Sequence, residues 1–211
     1  MSYTYGELKT LWYEGLGDDV GSKVTNFEFL SSFDAALSTI ASAAPIEMTP
    51  MLQSSYQGYN GTQVYLDTTK GVEITVPADF MAFSALRITT SAGTFDTRLV
   101  DIGTFFETHD TDQDPICCLL GNVIVVNKPH SLMAVDPVLI YKKFPALNSG
   151  SSPANTDEPD IDDLWRHPVM RHAVAYTFIR HGQYDDAGEV LKSLAEELGS
   201  IMANKPRDTT R

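Results

Sequence analysis

The spacing of apolar residues changes twice along the chain. Near the amino terminus Leu8, Leu11, Trp12 and Leu16 recur at intervals that place them on one face of a helix, and Thr4 and Glu7 stand at capping-box spacing. This predicts a first helix that Gly17 stops. The signature returns at Thr25 and Glu28, ahead of Phe29, Leu30, Phe33, Ala36, Leu37 and Ile40, and Pro45 forbids continuation. The small residues Ala35, Ala36, Ala41, Ala43 and Ala44 would let this second helix approach another helix closely.

From Ile46 to about Tyr141 the pattern becomes that of strands, over residues 62–67, 72–76, 83–88, 116–120 and 123–126, mostly antiparallel. Val72, Ile74 and Val76 alternate with Glu73 and Thr75, so one face of that strand is expected to be solvated. Gly121-Asn122 between two apolar runs reads as a two-residue hairpin of the II′ kind, with glycine where φ must be positive. Residues 99–107 fit helix and strand equally. ValLeuIleTyrLysLysPheProAlaLeu (138–147) forms a further strand and is followed by a polar, turn-rich stretch with five acids between Asp157 and Asp163. That stretch reads as an exposed connection whose acids suit the start of a helix.

Two more helices follow. The third runs through Val169, Ala173, Val174, Tyr176 and Phe178 to Gly182, with Pro168 at its first position or at a kink. The fourth begins near Asp185 or Asp186, carries Val190, Leu191, Leu194, Leu198, Ile201 and Met202 on one side, and ends before Pro206. The short turn at 182–184 makes these two antiparallel neighbours. Four apolar stripes, none of which can bury itself alone, predict an α+β fold: a four-helix bundle from 1–45 and 160–203, with a central antiparallel β insertion at 46–147. Residues 148–159 are then a linker and 204–211 a flexible tail.

Composition narrows the function. The 211 residues carry a formal charge of -13 and a sequence pI near 4.6, which argues against wrapping nucleic acid through its phosphates. The two cysteines, Cys117 and Cys118, are adjacent, so in a strand they point to opposite faces and are expected to stay reduced. The first residues lack a basic start and an apolar core, and no run approaches the ~20 apolar residues of a spanning helix, so a soluble, unprocessed protein without membrane contact is expected. Asn60-Gly61-Thr62 matches a glycosylation sequon with nothing else pointing to secretion. No internal repeat is visible.

Candidate chemistry is sparse. Asp110, Asp112 and Asp114 alternate like the first half of a calcium loop, but Pro115 stands where that loop needs glycine and Gly121 where it needs its bidentate glutamate. His167, His172 and His181 are five and nine residues apart, not at the spacing that sets two imidazoles on one metal. Nucleophile-elbow, P-loop, zincin and dinucleotide motifs are absent. No catalytic residue, metal ligand or cofactor is therefore expected, and the chain reads as a non-enzyme. Tyr56, Tyr59 and Tyr65 divide between sheet packing and a protein interface. The tail Asn204, Lys205, Pro206, Arg207, Asp208, Thr209, Thr210 and Arg211 is cationic on an acidic chain, and reads either as a frayed terminus or as a peptide that orders on a partner.

Three segments, taken in order, resemble the adaptor proteins that connect head to tail in tailed bacteriophages: ThrTyrGlyGluLeuLysThrLeu (4–11), ValProAlaAspPhe (76–80), and the 138–147 strand with its acidic linker and helical hairpin. The third is the most specific. The resemblance covers most of the chain in layout and about 40 residues in recognisable sequence; residues 99–115 match nothing in the family. It implies a helical bundle with a β insertion that assembles as a ring, a dodecamer, in the virion neck. The ring would sit beneath the portal protein, with the tail or nozzle protein below, after assembly in the host cytoplasm. It also implies that residues 204–211 reach into the portal. Negative charge on the channel wall would let DNA pass without sequence-specific binding. The rival readings are a tail-completion or stopper protein, and a small metal-dependent hydrolase using Asp110, Asp112, Asp114 and a histidine.

Overall fold

The computed structural model describes residues 3–57, 63–66, 69–90, 93–107, 115–127, 136–148 and 152–204. The elements begin with α1 (Tyr5–Gly21), α2 (Asn26–Ala43) and two 3-10 turns (Ile46–Met48, Pro50–Leu52). Strands β1 (Gln53–Gln57), β2 (Gln63–Leu66), β3 (Thr69–Thr75), β4 (Phe80–Thr90) and β5 (Gly93–Leu99) follow. Then come α3 (Ile102–Glu107), β6 (Ile116–Leu120), β7 (Val123–Asn127), β8 (Asp136–Lys143), α4 (Asp163–Arg180) and α5 (Tyr184–Ala203). These form two compact units, Met1–Leu52 with Phe144–Arg211, and Gln53–Lys143.

Both capping boxes form. The Thr4 amide donates to Glu7 Oε2 at 2.8 Å and the Glu7 amide to Thr4 Oγ1 at 3.4 Å; Thr25 and Glu28 repeat the exchange at 2.8 and 3.2 Å. These backbone hydrogen bonds hold the Glu7 and Glu28 carboxyls below their usual range. Gly17 breaks helical geometry at φ 69°, but the chain resumes helix to Gly21 and seats Val20 in the core. The expected stop is thus a kink.

An eight-stranded mixed sheet, in the order β1-β8-β4-β5-β6-β7-β3-β2, makes up the second unit. Its one parallel pair among the described strands, β5 with β6, requires a crossover, and the chain between them carries α3. Gly121 takes φ 61° at the β6–β7 turn. The sheet is curled. Two register shifts in β4, between Phe80 and Ala82 and between Phe83 and Ala85, bend its longest strand. Connectivity demands a bend as well: laid flat, eight strands would separate β1 from β2 by about 34 Å, while the chain from Gln57 to Gln63 reaches at most about 22 Å.

Each face of the sheet has its own core. One holds Ile74, Leu86, Ile88, Cys117, Ile124, Val126, Leu139 and Tyr141; the other packs Phe105 of α3 against Ile116, Cys118 and Val125. The adjacent cysteines therefore serve opposite faces and both are buried and free. Burial pushes the Cys117 thiol up to about 11, and Thr97 Oγ1 sits 3.3 Å from its sulfur. At pH 8 only about one part in a thousand would be thiolate. Native protein should therefore leave Cys117 unalkylated after an hour in iodoacetamide, while denatured protein labels both thiols. Rapid native labelling of Cys117 would contradict this placement.

The expectation of a four-helix bundle carrying a β insertion is overturned. The fold is α+β, but it is dominated by the curled mixed sheet, with five α-helices among the described residues. Apolar stripes on four helices suggested mutual burial of all four. Instead α4 is the shared element, against which α1, α2 and α5 each pack. The sheet buries one cluster of its own residues on one face and, with Phe105 of α3, a second on the other. The bundle architecture implied by the family resemblance is corrected with it.

Candidate assembly site on the carboxy-terminal hairpin

Helix α4 starts at Asp163, six residues before Val169, so of the two places left open for Pro168 the first helical position is excluded and the proline lies inside the helix. An interior proline forfeits a hydrogen bond and clashes with the preceding turn, so something must hold the first turns in place. Two buried side chains do. Trp165 Nε1 donates to the Met48 carbonyl at 2.7 Å. Arg166, 1% exposed, donates to the carbonyls of Ile161 and Tyr3 at 3.0 Å and Pro159 at 3.4 Å, and pairs with Glu158 at 3.0 Å and Asp163 at 2.9 Å.

The acidic stretch before α4 is correspondingly not a loose connection. The amides of Tyr5 and Gly6 donate to the carbonyls of Asp157 and Asn155, both at 2.9 Å. A Cβ on Gly6 would come within 2.9 Å of the Asn155 carbonyl oxygen, so the close approach requires glycine there. Asn148 bonds Asp34 through its amide (3.0 Å) and Nδ2 (2.9 Å), and Tyr5 Oη through Nδ2 (3.0 Å). Burial raises the Asp34 carboxyl above its usual range, and the Asn148 bonds offset only part of that rise.

The hairpin is joined by Glu197, which accepts from Arg171 at 3.3 Å and lies 2.9 Å from His167 Nδ1. His181 Nε2 lies 3.2 Å from Glu28 on α2, and half-buried His172 has its pKa lowered by burial and its Nδ1 without a partner. The three histidines thus go to separate surroundings. Among the described residues no group of three or more His, Cys, Asp or Glu could hold a metal. Asp110, Asp112 and Asp114 lie outside the described residues, as do the 60–62 sequon, Tyr59, and Lys205, Pro206, Arg207, Asp208, Thr209, Thr210 and Arg211. Of the expected portal-reaching segment only Asn204 is described, exposed, closing α5 with its amide on the carbonyls of Ser200 and Ile201. Tyr56 packs against the sheet core.

What the hairpin offers is surface. The apolar stripe of α5 is well formed, yet in 20 residues only Ala187 and Leu194 are buried. Leu191 is 38% and Met202 44% exposed, and Leu198 and Met202 line a shallow apolar pocket of about 70 Å³ with Ile40, Ala43, Ala44 and Trp165. The stripe was legible in the sequence; that it stays half open was not, because that depends on α5 having α4 alone as its main neighbour. No helix among the described residues is long and apolar enough to cross a membrane. Comparison with protein-family models and with curated proteins returns no match.

Proposed function

We propose that this protein is a non-enzymatic adaptor of a tailed-bacteriophage neck, a ring that joins the portal protein to the tail or nozzle protein and lets DNA through. The observation that carries the reading is the half-open apolar stripe of α5, on a hairpin pinned at its base by Trp165 and Arg166. A long helix that leaves Leu191 and Met202 this exposed gains from burial against another protein. The resemblance of residues 4–11, 76–80 and 138–147 to the adaptor family names the setting. The formal charge of -13 suits a channel wall that repels phosphate.

The carboxy-terminal segment from Asn204 to Arg211 is the portal-reaching element in this reading. Full-length protein should co-sediment with portal-bearing, tail-less heads, and protein ending at Ala203 should bind at least tenfold more weakly. Equal binding of the two would remove the role of 204–211. A second reading, a tail-completion or stopper protein of the same junction, gains from the dominance of the curled sheet, since such proteins are more often built on barrels. A stopper would bind heads only after an adaptor is in place.

A further inference from the structure

The last turns of α5 enclose a pocket with the end of α2. Leu198 and Met202 line it from one side, Ile40, Ala43 and Ala44 from the other, and Trp165 of α4 completes it. All six side chains are apolar, and the indole N–H is already engaged by the Met48 carbonyl, so the lining suits an apolar guest. Its volume of about 70 Å³ is several times what one water molecule needs and gives room for an apolar side chain. From this pocket a seam runs back along the helix. Tyr184, Gly188, Leu191, Ala195, Leu198 and Met202 follow one another at alternating steps of four and three, the spacing at which a helix packs lengthwise against a second helix. Tyr184 is 70% exposed, and Gly188 and Ala195 are exposed with it, so this seam is distinct from the strip of Ala187 and Leu194 that the chain itself buries.

We propose that this pocket and seam receive a cationic amphipathic helix of a partner protein, one large apolar side chain of which enters the pocket. The inference rests on α5 being the assembly surface in the reading above, and names the chemistry of what covers it. A helix laid into an apolar groove is anchored by side chains one turn apart, and the one that fills a pocket carries a large share of the binding energy. Charge decides the occupant. α5 carries Asp185, Asp186, Glu189, Glu196 and Glu197 against Lys192 alone, and α2 carries Glu28 and Asp34 with no lysine or arginine. A second copy would bring the same acidic helices against these, in a chain of charge -13. The chain's own cationic end, residues 205–211, has no large apolar side chain to fill the pocket. A partner helix with leucine or methionine on one face and lysine or arginine beside it matches both the lining and the sign of the field.

Two synthetic peptides of about five helical turns test this against full-length protein carrying carbon-13 at its methionine methyls. Both have leucine at alternating steps of four and three; the remaining positions are lysine and alanine in one, glutamate and alanine in the other. The lysine peptide should bind at least tenfold more tightly and shift the Met202 methyl resonance. Ala195→Arg, on the exposed seam, should weaken that binding at least tenfold while leaving the melting temperature unchanged. Absence of binding by the lysine peptide, equal affinity for the two peptides, or binding that leaves Met202 unmoved overturns the proposal. Self-association of the unliganded protein that Ala195→Arg abolishes would make a second copy the occupant, and tenfold tighter peptide binding by protein ending at Asn204 would make it the chain's own tail; either result overturns it. Rings that form on tail-less heads while the lysine peptide fails to bind overturn this inference and leave the adaptor reading standing.

Discussion

Replacing Arg166 by alanine is expected to lower unfolding free energy by about 3 kcal/mol, because one guanidinium serves carbonyls from three positions and two carboxylates. The direction follows from burial. The side chain is 1% exposed, whereas Glu158 and Asp163 are 52% and 51% exposed. Both acids can rehydrate when the cation is lost, so the cost stays near the low end for a broken buried pair. The Pro159 carbonyl keeps the Ile161 amide at 2.8 Å, whereas the buried Ile161 carbonyl loses the Arg166 Nε donor at 3.0 Å. Arg166→Lys should recover only part of the loss, as an ammonium lacks the planar fork that reaches several acceptors. Urea unfolding measures both variants, and a change below about 0.5 kcal/mol for the alanine would show that this node does not hold the base of the hairpin.

Trp12→Ala should be at least as severe, at about 3–5 kcal/mol. Trp12 is fully buried, its ring stands 5.3 Å from Phe29, and Nε1 donates to Thr177 Oγ1 at 3.2 Å. It therefore ties α1 to α2 and α4 at one point. Trp12→Phe keeps most of the volume and loses the hydrogen bond, so about 1–2 kcal/mol is expected. Thr177 still bonds Ser32 and the Ala173 carbonyl, which limits that smaller loss. Thermal melts of the two variants should fall in this order; equal melting of alanine and wild type would contradict the packing described.

The parts of the fold that depend on neighbours in sequence were legible. Two capping boxes, the Gly121 turn and the α5 stripe rest on contacts within a few residues, and each forms where the pattern places it. Strands β1 and β5 are different. GlnSerSerTyrGln has no apolar alternation, and is held as a strand by its register with β8. GlyThrPheAspThrArgLeu falls outside the strands that the apolar pattern marks, yet it is paired on both sides, by β4 and β6. The early start of α4 was hidden for the same reason: the acceptors that hold Arg166 come from positions 3, 159 and 161, which only folding brings together.

The same distinction explains the corrected architecture. Helical stripes reveal that a face must be covered, and not by what. Val190, Leu191, Leu194, Leu198, Ile201 and Met202 suggested a fourth bundle helix, whereas α5 buries only Ala187 and Leu194 within the chain. Its remaining apolar surface then becomes the strongest physical support for assembly. The candidate site was legible as a helix and a tail, and its openness was not.

Electron microscopy of tail-less, portal-bearing heads incubated with the purified full-length protein addresses the central claim most directly. The account predicts a ring of this chain at a single vertex, beneath the portal, with α5 of each copy covered by protein and a DNA-wide opening at its centre. Heads that remain bare, or that gain this protein only when a different adaptor is already seated on the portal, would contradict it.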